Sequence, residues 1–312
     1  MVMGVHNGAK DLPISMQGIL TQEGIEFELI VVDDGSSDHT AEILEGYASQ
    51  DSRVHVYRQD QQGLTRALIK GCEMARGRYI ARHDADDISS PGRFKAQADY
   101  LDDNSNVVLI SSWSNVLGPN KEFLYTEKRP SEPSAATDLL LKGRSGPPGH
   151  GSVMFRKDAY EEVGGYRKVF FYAQDSDLWL RLAEVGKFSY LPSVYYSYEI
   201  SPLSISGGLH GAKLAYAELI EQCFALRQQG ISDEAAIRAF LDKIADEKRS
   251  NISPRGSKKS KFRTNYFVGR CLLKNRDKRA SKYFWLCVRD SPISARAWLN
   301  FMYSKLFLRK RH

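Results

Sequence analysis

The first 115 residues alternate short apolar runs with helix-length amphipathic segments, and no other feature restricts the fold as much. "MVMGV", "FELIVV", "RVHVYR", "GRYIARHD" and "NVVLISSW" read as strands. Helical patterns lie between them: Leu12, Met16, Ile19 and Leu20 after Asp11; Ile43, Leu44 and Tyr47 after Ser and Asp caps; "GLTRALIKGCEMA"; and "PGRFKAQADYLDDN", which opens on Pro. Strands interleaved with helices imply βαβ crossovers, hence an α/β fold whose mostly parallel central sheet is flanked by helices. Such sheets bind ligands at the carboxyl ends of their strands. Two acid clusters, "VVDDGSSD" and "RHDADD", fall at strand ends and are expected to face one crevice.

Beyond Asn115 the alternation stops at "RPSEPS" and "GRSGPPGHGS", whose Pro and Gly predict irregular backbone. "AQDSDLWLRLAEVG" then reads as a helix with Leu178, Leu182 and Val185 on its apolar side. From Ala212 the pattern is helical throughout, interrupted by the polar, basic "RSNISPRGSKKSK". At 312 residues the chain exceeds one typical core. Two parts are predicted: residues 1–210, divided near 115, and a helical, basic region over 211–312.

Composition of 42% hydrophobic and 26% charged residues excludes a disordered chain. Cys72, Cys223, Cys271 and Cys287 lack CxxC spacing, so neither a zinc site nor a disulfide framework is expected, and a reducing cytoplasm fits. The opening "MVMGVHNGAK" has no signal-peptide pattern, and no apolar run reaches the roughly 18 residues of a membrane span. The chain is therefore expected to be neither exported by a signal peptide nor membrane-spanning.

Net charge divides unevenly. Residues 251–312 carry 17 Lys and Arg against Asp277 and Asp290, a balance of +15; the whole chain carries +6, which leaves −9 on residues 1–250. The tail mixes its cations with Tyr266, Phe267, Tyr283, Phe284, Trp285, Trp298, Phe301 and Phe307. A basic surface with aromatic edges suits the anionic cytoplasmic face of a membrane. A helical hairpin with aromatics in its core and cations in water is the other reading, and both can hold. Nucleic acid is not an expected partner, since no RNA- or DNA-binding module is present.

Asp84, Asp86 and Asp87 repel one another at one strand end, so gathering them calls for a compensating cation. A divalent metal can supply it: Mg²⁺ uses one or two carboxylates and fills its shell with water and phosphates. A solvated loop or helix cap is the competing reading. In "VVDDGSSD", Ser36, Ser37 and Asp38 are good caps and Gly35 permits a turn, whereas Asp33 and Asp34 must point into the crevice or solvent. Asp34 can accept a hydrogen bond from a nucleobase N–H. Arg66 either adds positive charge near phosphates or is a solvated helix position. Asp175 has the chemistry of a general base, with a helix N-cap as its alternative, and Asp177 reads as cap or support. His150 either lines a pocket or is a structural loop residue.

"MGVHNGAKDLP", "IVVDDGSSDHT", "GLTRALIKGCEMARGRYIARHDADD", "HGSVMFRKDAYEEVGGYR" and "QDSDLWLRLAEVGK" occur in an order that resembles glycosyltransferase family 2, the inverting enzymes of GT-A fold, over about residues 1–206. The resemblance implies a GT-A catalytic domain over 1–210, with a nucleotide-sugar half over about 1–115 and an acceptor half over about 116–210, followed by the helical appendage. It implies a metal-dependent hexosyl or N-acetylhexosaminyl transferase of the bacterial surface-polysaccharide type. Such an enzyme uses a nucleotide-sugar donor, with UDP the first choice, Mn²⁺ or Mg²⁺, and a hydroxyl of a glycan or lipid-linked acceptor. It would work in the cytoplasm, peripherally on the inner face of the plasma membrane. Carried over by position, His6 stands where the family has a Tyr stacking on the nucleobase, Asp34 matches the nucleobase-contacting aspartate, and Asp84 lies near ribose and diphosphate. Asp86 matches the metal ligand and Asp175 the catalytic base.

Four departures accompany the match. Gln174 replaces the usual Glu beside the base, Gly4 stands where Pro is common, and Ser201 lies near the position of a family His. The family's first strand also begins several residues earlier, so this chain is expected to begin late in that strand. Gln174 and Gly4 also suit a nucleotide-sugar-binding protein without turnover. A metal-dependent phosphohydrolase with a nucleophilic Asp is the remaining alternative, though it expects its motif on the opening strand.

Overall fold

The computed structural model describes residues 1–200, 210–247 and 258–307. Ser201, most of the basic linker "RSNISPRGSKKSK" and the side chain of Phe307 lie outside the described residues.

Strands β1 (Val2–Val5), β2 (Leu29–Asp34) and β3 (Val54–Gln59) pair in parallel, joined by helices α1 (Leu12–Leu20) and α2 (Thr40–Gln50). Every residue of β2 is buried, as a parallel strand covered on both faces requires. Side chains alternate across this sheet. Val2, Ile30 and Val32 join one apolar cluster with Ala67 and Leu68 of α3 (Leu64–Met74), while Met3 and Val31 join the other with Leu12 and Met16.

The second sheet runs in the order β4 (Tyr79–Ala81), β8 (Met154–Arg156), β6 (Val107–Leu117), β9 (Lys187–Glu199), β5 (Ile88–Ser89), with β7 (Phe123–Glu127) also on β6. A parallel bridge between Val2 and Arg82 joins the two sheets. The expected parallel pairing holds for β1–β3 and this bridge, whereas β4–β8, β6–β8 and β5–β9 are antiparallel, so the sheet is mixed. The chain leaves β6 for β7 through residues 118–122, far short of the crossover a parallel neighbour needs.

Helix α4 (Arg93–Asp103) precedes β6, and α6 (Lys157–Glu162) and α7 (Gln174–Val185) follow β8. The stretch read as irregular beyond Asn115 holds both β7 and α5 (Pro133–Leu141). Its prolines mislead because Pro133 sits at the start of α5, where a missing N–H is harmless. Glu132 caps that helix, accepting from the Ser134 and Ala135 amides at 3.0 and 2.6 Å. Leu178 and Leu182 of α7 are buried as expected, but Val185 is exposed at the helix end.

The chain forms two compact units: residues 1–114, 127–198 and 215–246, and residues 115–126, 199–214 and 247–312. Most of α8 (His210–Gln228) and α9 (Glu234–Glu247) clusters with the first unit, because Tyr216, Leu219, Ile220, Cys223 and Phe240 share one core with Phe170 and Leu178. The second unit is built on α10 (Lys258–Lys274), α11 (Ala280–Asp290), α12 (Ala295–Phe307) and the tip of the β6–β7 hairpin. Buried Tyr283 donates its hydroxyl to Glu122 at 2.8 Å. The tail aromatics divide: Tyr283 and Phe284 are core, while Phe267, Trp285 and Trp298 are exposed. All four cysteines are free, and burial pushes the Cys72 thiol up to about 11. No helix among the described residues is long and apolar enough to cross a membrane.

Candidate active site

Asp33 and Asp34 end β2, as the apolar run predicts, but neither opens to solvent; they are 1% and 4% exposed. The surrounding loops use both. Asp33 accepts from the Ser36 amide at 3.0 Å and faces Arg58 at 3.5 Å. Asp34 accepts from the Gln59 side chain at 2.7 Å, the Gln62 amide at 2.8 Å and the Gly63 amide at 2.7 Å. It thereby fixes the turn into α3. Gly63 has a φ of 93°, and a Cβ there would lie 2.5 Å from the Phe171 ring, so only glycine fits.

His6 is exposed and donates from Nδ1 to the Asp34 carbonyl at 2.9 Å. A carbonyl can only accept, so the proton sits on Nδ1 and Nε2 accepts from Gln61 and Asn7, both at 3.1 Å. Arg66 is exposed in the first turn of α3, with Nη1 3.5 Å from Gln62 Oε1. His6, Asp34 and Arg66 thus border one loop system.

At the end of β4 the acid cluster carries its own counter-charges. Arg82 is fully buried and holds Asp84 Oδ1 at 2.7 Å, while its other donors reach the Val2 carbonyl at 2.8 Å and the His83 carbonyl at 3.0 Å. Arg93 is equally buried and bonds the carbonyls of Arg82 and Gly151 at 3.0 and 2.8 Å. Its charge attracts those of Asp87 and Asp84, although burial as the larger effect pulls its pKa down to about 10. Asp87 is buried and accepts from the Tyr196 hydroxyl at 2.7 Å. Two buried arginines thus balance much of the charge of the three aspartates, so the cluster does not depend on a metal for its neutralisation. Asp86 is the one of the three that is exposed.

Tyr196 approaches so closely that a Cβ on Gly151 would stand 1.8 Å from its hydroxyl oxygen. His150 bonds the Tyr166 hydroxyl at 2.6 Å and lies 3.5 Å from Arg82 Nε. Burial, then the Arg82 charge, holds its pKa well below the usual histidine range, so His150 is neutral. Of its two readings, this favours a structural residue.

Asp175 stands in the first turn of α7 without capping it. Ala173 is the N-cap residue, held at a φ of 56°, and Asp175 Oδ1 accepts from the Ser176 amide at 2.8 Å. Burial raises the Asp175 pKa, and the negative charge of nearby Asp84 raises it further. Trp179 of α7 packs edge-on against His150 with ring centroids 6.0 Å apart, and His150 adjoins the Arg82 that holds Asp84, which brings α7 up to the strand-end cluster. The loop held by Asp34 is tied to the same region, since Thr65 donates to the Phe170 carbonyl at 2.7 Å. Of its two readings, cap and support, Asp177 takes the second: it is buried and takes Arg181 at 2.6 Å together with Arg167. Arg167 and Arg227 also converge on Asp233 at 2.8 and 2.6 Å.

Sequence reasoning missed Arg82, Arg93, Tyr166 and Tyr196. A cation inside "RHDADD" and another shortly after it were available signals. Tyr196 follows Asp84 by 112 residues and carried none.

The mixed α/β sheet with carboxylates at its strand ends defines a GT-A architecture. The structure of S. aureus TarS 1-349 in complex with UDP aligns with 99% of this chain and 90% of its own at a TM-score of 0.57 and 16% identity, a likeness that bears on the fold. In sequence, EpsE of Bacillus subtilis is 34% identical over 192 residues, covering 60% of this chain and 66% of EpsE. The O-antigen biosynthesis glycosyltransferase WbnJ of Escherichia coli is 31% identical over 183 residues, covering 58% of this chain and 70% of WbnJ. The sequence model of Glycosyl transferase family 2 matches residues 1–164. This chain belongs to glycosyltransferase family 2.

Proposed function

We propose that the chain is an inverting, metal-dependent transferase that moves a hexosyl or N-acetylhexosaminyl group from a UDP-sugar to a hydroxyl of a glycan or lipid-linked acceptor. The work of WbnJ in O-antigen biosynthesis supports a role in polysaccharide assembly, and the UDP held by TarS supports the choice of base. The first compact unit is assigned the reaction. The basic second unit is assigned placement at the inner face of the membrane.

One observation carries the reading: Asp175 lies in the first turn of α7, whose Trp179 packs on His150 next to the Arg82–Asp84 pair, and burial and the Asp84 charge raise its pKa. A sugar hydroxyl is a weak nucleophile, and a carboxylate that takes its proton as attack develops contributes roughly 10²–10⁴ in rate. Asp175 is assigned that role. His6 and Asp34 take the nucleobase, His6 by stacking and Asp34 by an oxygen not saturated by its loop bonds. Asp84, oriented by Arg82, and Arg66 flank the ribose and diphosphate.

The donor set fits a hard divalent cation. Asp86 offers an exposed carboxylate, Asp84 keeps one oxygen outside its Arg82 pair, and Mg²⁺ or Mn²⁺ needs no more from a protein when a diphosphate completes the shell. Among the described residues no three His, Cys, Asp or Glu form a group that could hold a metal ion by itself. When bound, it neutralises the charge growing on the departing diphosphate.

A donor screen with Mn²⁺ or Mg²⁺, reading nucleoside diphosphate release, tests the reading. UDP-sugars are expected to turn over, and Asp86→Asn is expected to abolish most of that turnover while the fold persists. Undiminished metal-dependent release by Asp86→Asn removes the metal assignment; nucleotide binding without turnover by the native chain favours a binding protein.

A further inference from the structure

In the second unit, the outer face of α12 is apolar. Trp298, Leu299, Met302, Tyr303 and Leu306 are exposed, Leu299 and Leu306 by 65% and 63%. At 3.6 residues per turn they fall within a stripe about 140° wide. Behind them, Ala297 and Ser304 are buried and Phe301 packs on Cys287 and Val288. A helix that is apolar on both sides is not built to face water. Trp285 on α11 continues the patch, its ring 6.4 Å from Trp298 and 5.5 Å from Phe301. Ile293, between the two helices, is 95% exposed.

Cations accompany this surface. Lys305 lies over the Phe301 ring at 5.7 Å, and Arg289 and Lys282 stand on α11. A cleft of about 550 Å³ in the same unit is lined by Phe262, Arg263, Tyr266, Phe267, Arg270 and Arg296. Arg296 lies across the Phe262 and Tyr266 rings at 5.4 and 5.1 Å, which leaves the edges of its guanidinium to donate.

We propose that this face docks on an anionic phospholipid bilayer, with the α12 stripe in the interfacial region and the cleft arginines on headgroup phosphates. A second copy is the weaker occupant, because it would bring one +15 region against another. Apolar anchors and clustered cations together are what peripheral attachment requires, each cation near the surface multiplying partition about fivefold. The proposal deepens the membrane placement given above and does not depend on the reaction.

The full-length chain is sedimented with vesicles of phosphatidylcholine alone and of phosphatidylcholine with phosphatidylglycerol. Binding is expected to the anionic vesicles, to weaken with salt, and to shift tryptophan emission to the blue. The triple variant Leu299→Ser, Met302→Ser, Leu306→Ser is expected to bind about tenfold or more weakly at an unchanged melting temperature. If that variant misfolds, Arg270→Gln with Arg296→Gln serves instead, with the same expected direction. Equal binding by a folded variant, or no binding by the native chain, overturns the proposal. So does sedimentation velocity showing a native dimer that the triple variant dissolves, which would assign the face to a second copy. Turnover on a soluble acceptor is read separately, so failure here leaves the reaction standing.

Discussion

Asp175 is acidic in the first turn of a helix, where the helix dipole favours a negative charge by about 0.3–1 kcal/mol, yet burial and Asp84 outweigh that and its pKa is raised. A carboxyl group whose folded pKa exceeds its unfolded pKa gives stability that is complete below the unfolded value. That stability is lost as pH rises through the folded value. At neutral pH the ionised Asp175 therefore costs the fold something. Asp175→Asn is expected to melt at the same temperature as the native chain or above it, while transfer falls by about 10² or more. Calorimetry and turnover on one preparation check both, and normal transfer would take Asp175 out of the mechanism. The rising limb of the native rate against pH is expected above the roughly 3.9 of an ordinary aspartate.

Helix α7 is held in place by ions as well as by Leu178 and Leu182. Asp177 is buried between Arg167 and Arg181, and removing it leaves the buried Arg181 without its carboxylate and Arg167 with Asp233 alone. Asp177→Ala is expected to lose about 3–5 kcal/mol in urea unfolding. Asp233 adds a pH dependence: burial acts to raise its pKa, but the Arg167 and Arg227 bonds overcome this and hold it below the ordinary value. Its stabilising effect is thus full above an unfolded aspartate's pKa and disappears as pH falls through the folded value. Native chain and Asp233→Asn are expected to differ in melting temperature at pH 6, with the difference starting to shrink only below about pH 4 and vanishing once pH has fallen past the depressed folded pKa. Much of this scale was legible in sequence. The runs around Ile30 and Val108 gave their strands, and the spacing of Leu178 and Leu182 gave α7. Pairing direction in the second sheet was not legible, because an apolar run carries no sign of which way its neighbour runs. Asp34 was placed at its strand end, but not its three bonds to Gln59, Gln62 and Gly63, which depend on a loop that the sequence does not shape.

Across the molecule, the uneven charge of residues 1–250 and 251–312 was visible in the sequence, whereas the division into two compact units was not. Tyr216 and Phe240 continue the helical periodicity of the tail, yet they belong to the first unit's core, and periodicity does not tell a helix which core it joins. The two units give a calorimetric expectation. UDP with Mn²⁺ at a hundredfold excess over Kd should stabilise the first unit by about 2.7 kcal/mol and leave a second-unit transition where it is. Asp86→Asn should remove that shift. A shift confined to the second unit would place the nucleotide site elsewhere. Arg82 shows how tightly folding and chemistry are joined in the first unit. One guanidinium grips Val2 across the seam between the parallel and antiparallel strands and also holds Asp84 toward the site. Stabilising substitutions elsewhere can repair an ordinary destabilised variant, because such a variant lacks only free energy. They cannot restore a lost orientation. Replacement of Arg82 is therefore not repaired by added stability elsewhere: Lys carries its three donors on one nitrogen and cannot span the Val2 carbonyl, the His83 carbonyl and the Asp84 carboxylate as a planar fork does, and any smaller residue gives up the seam and the carboxylate together.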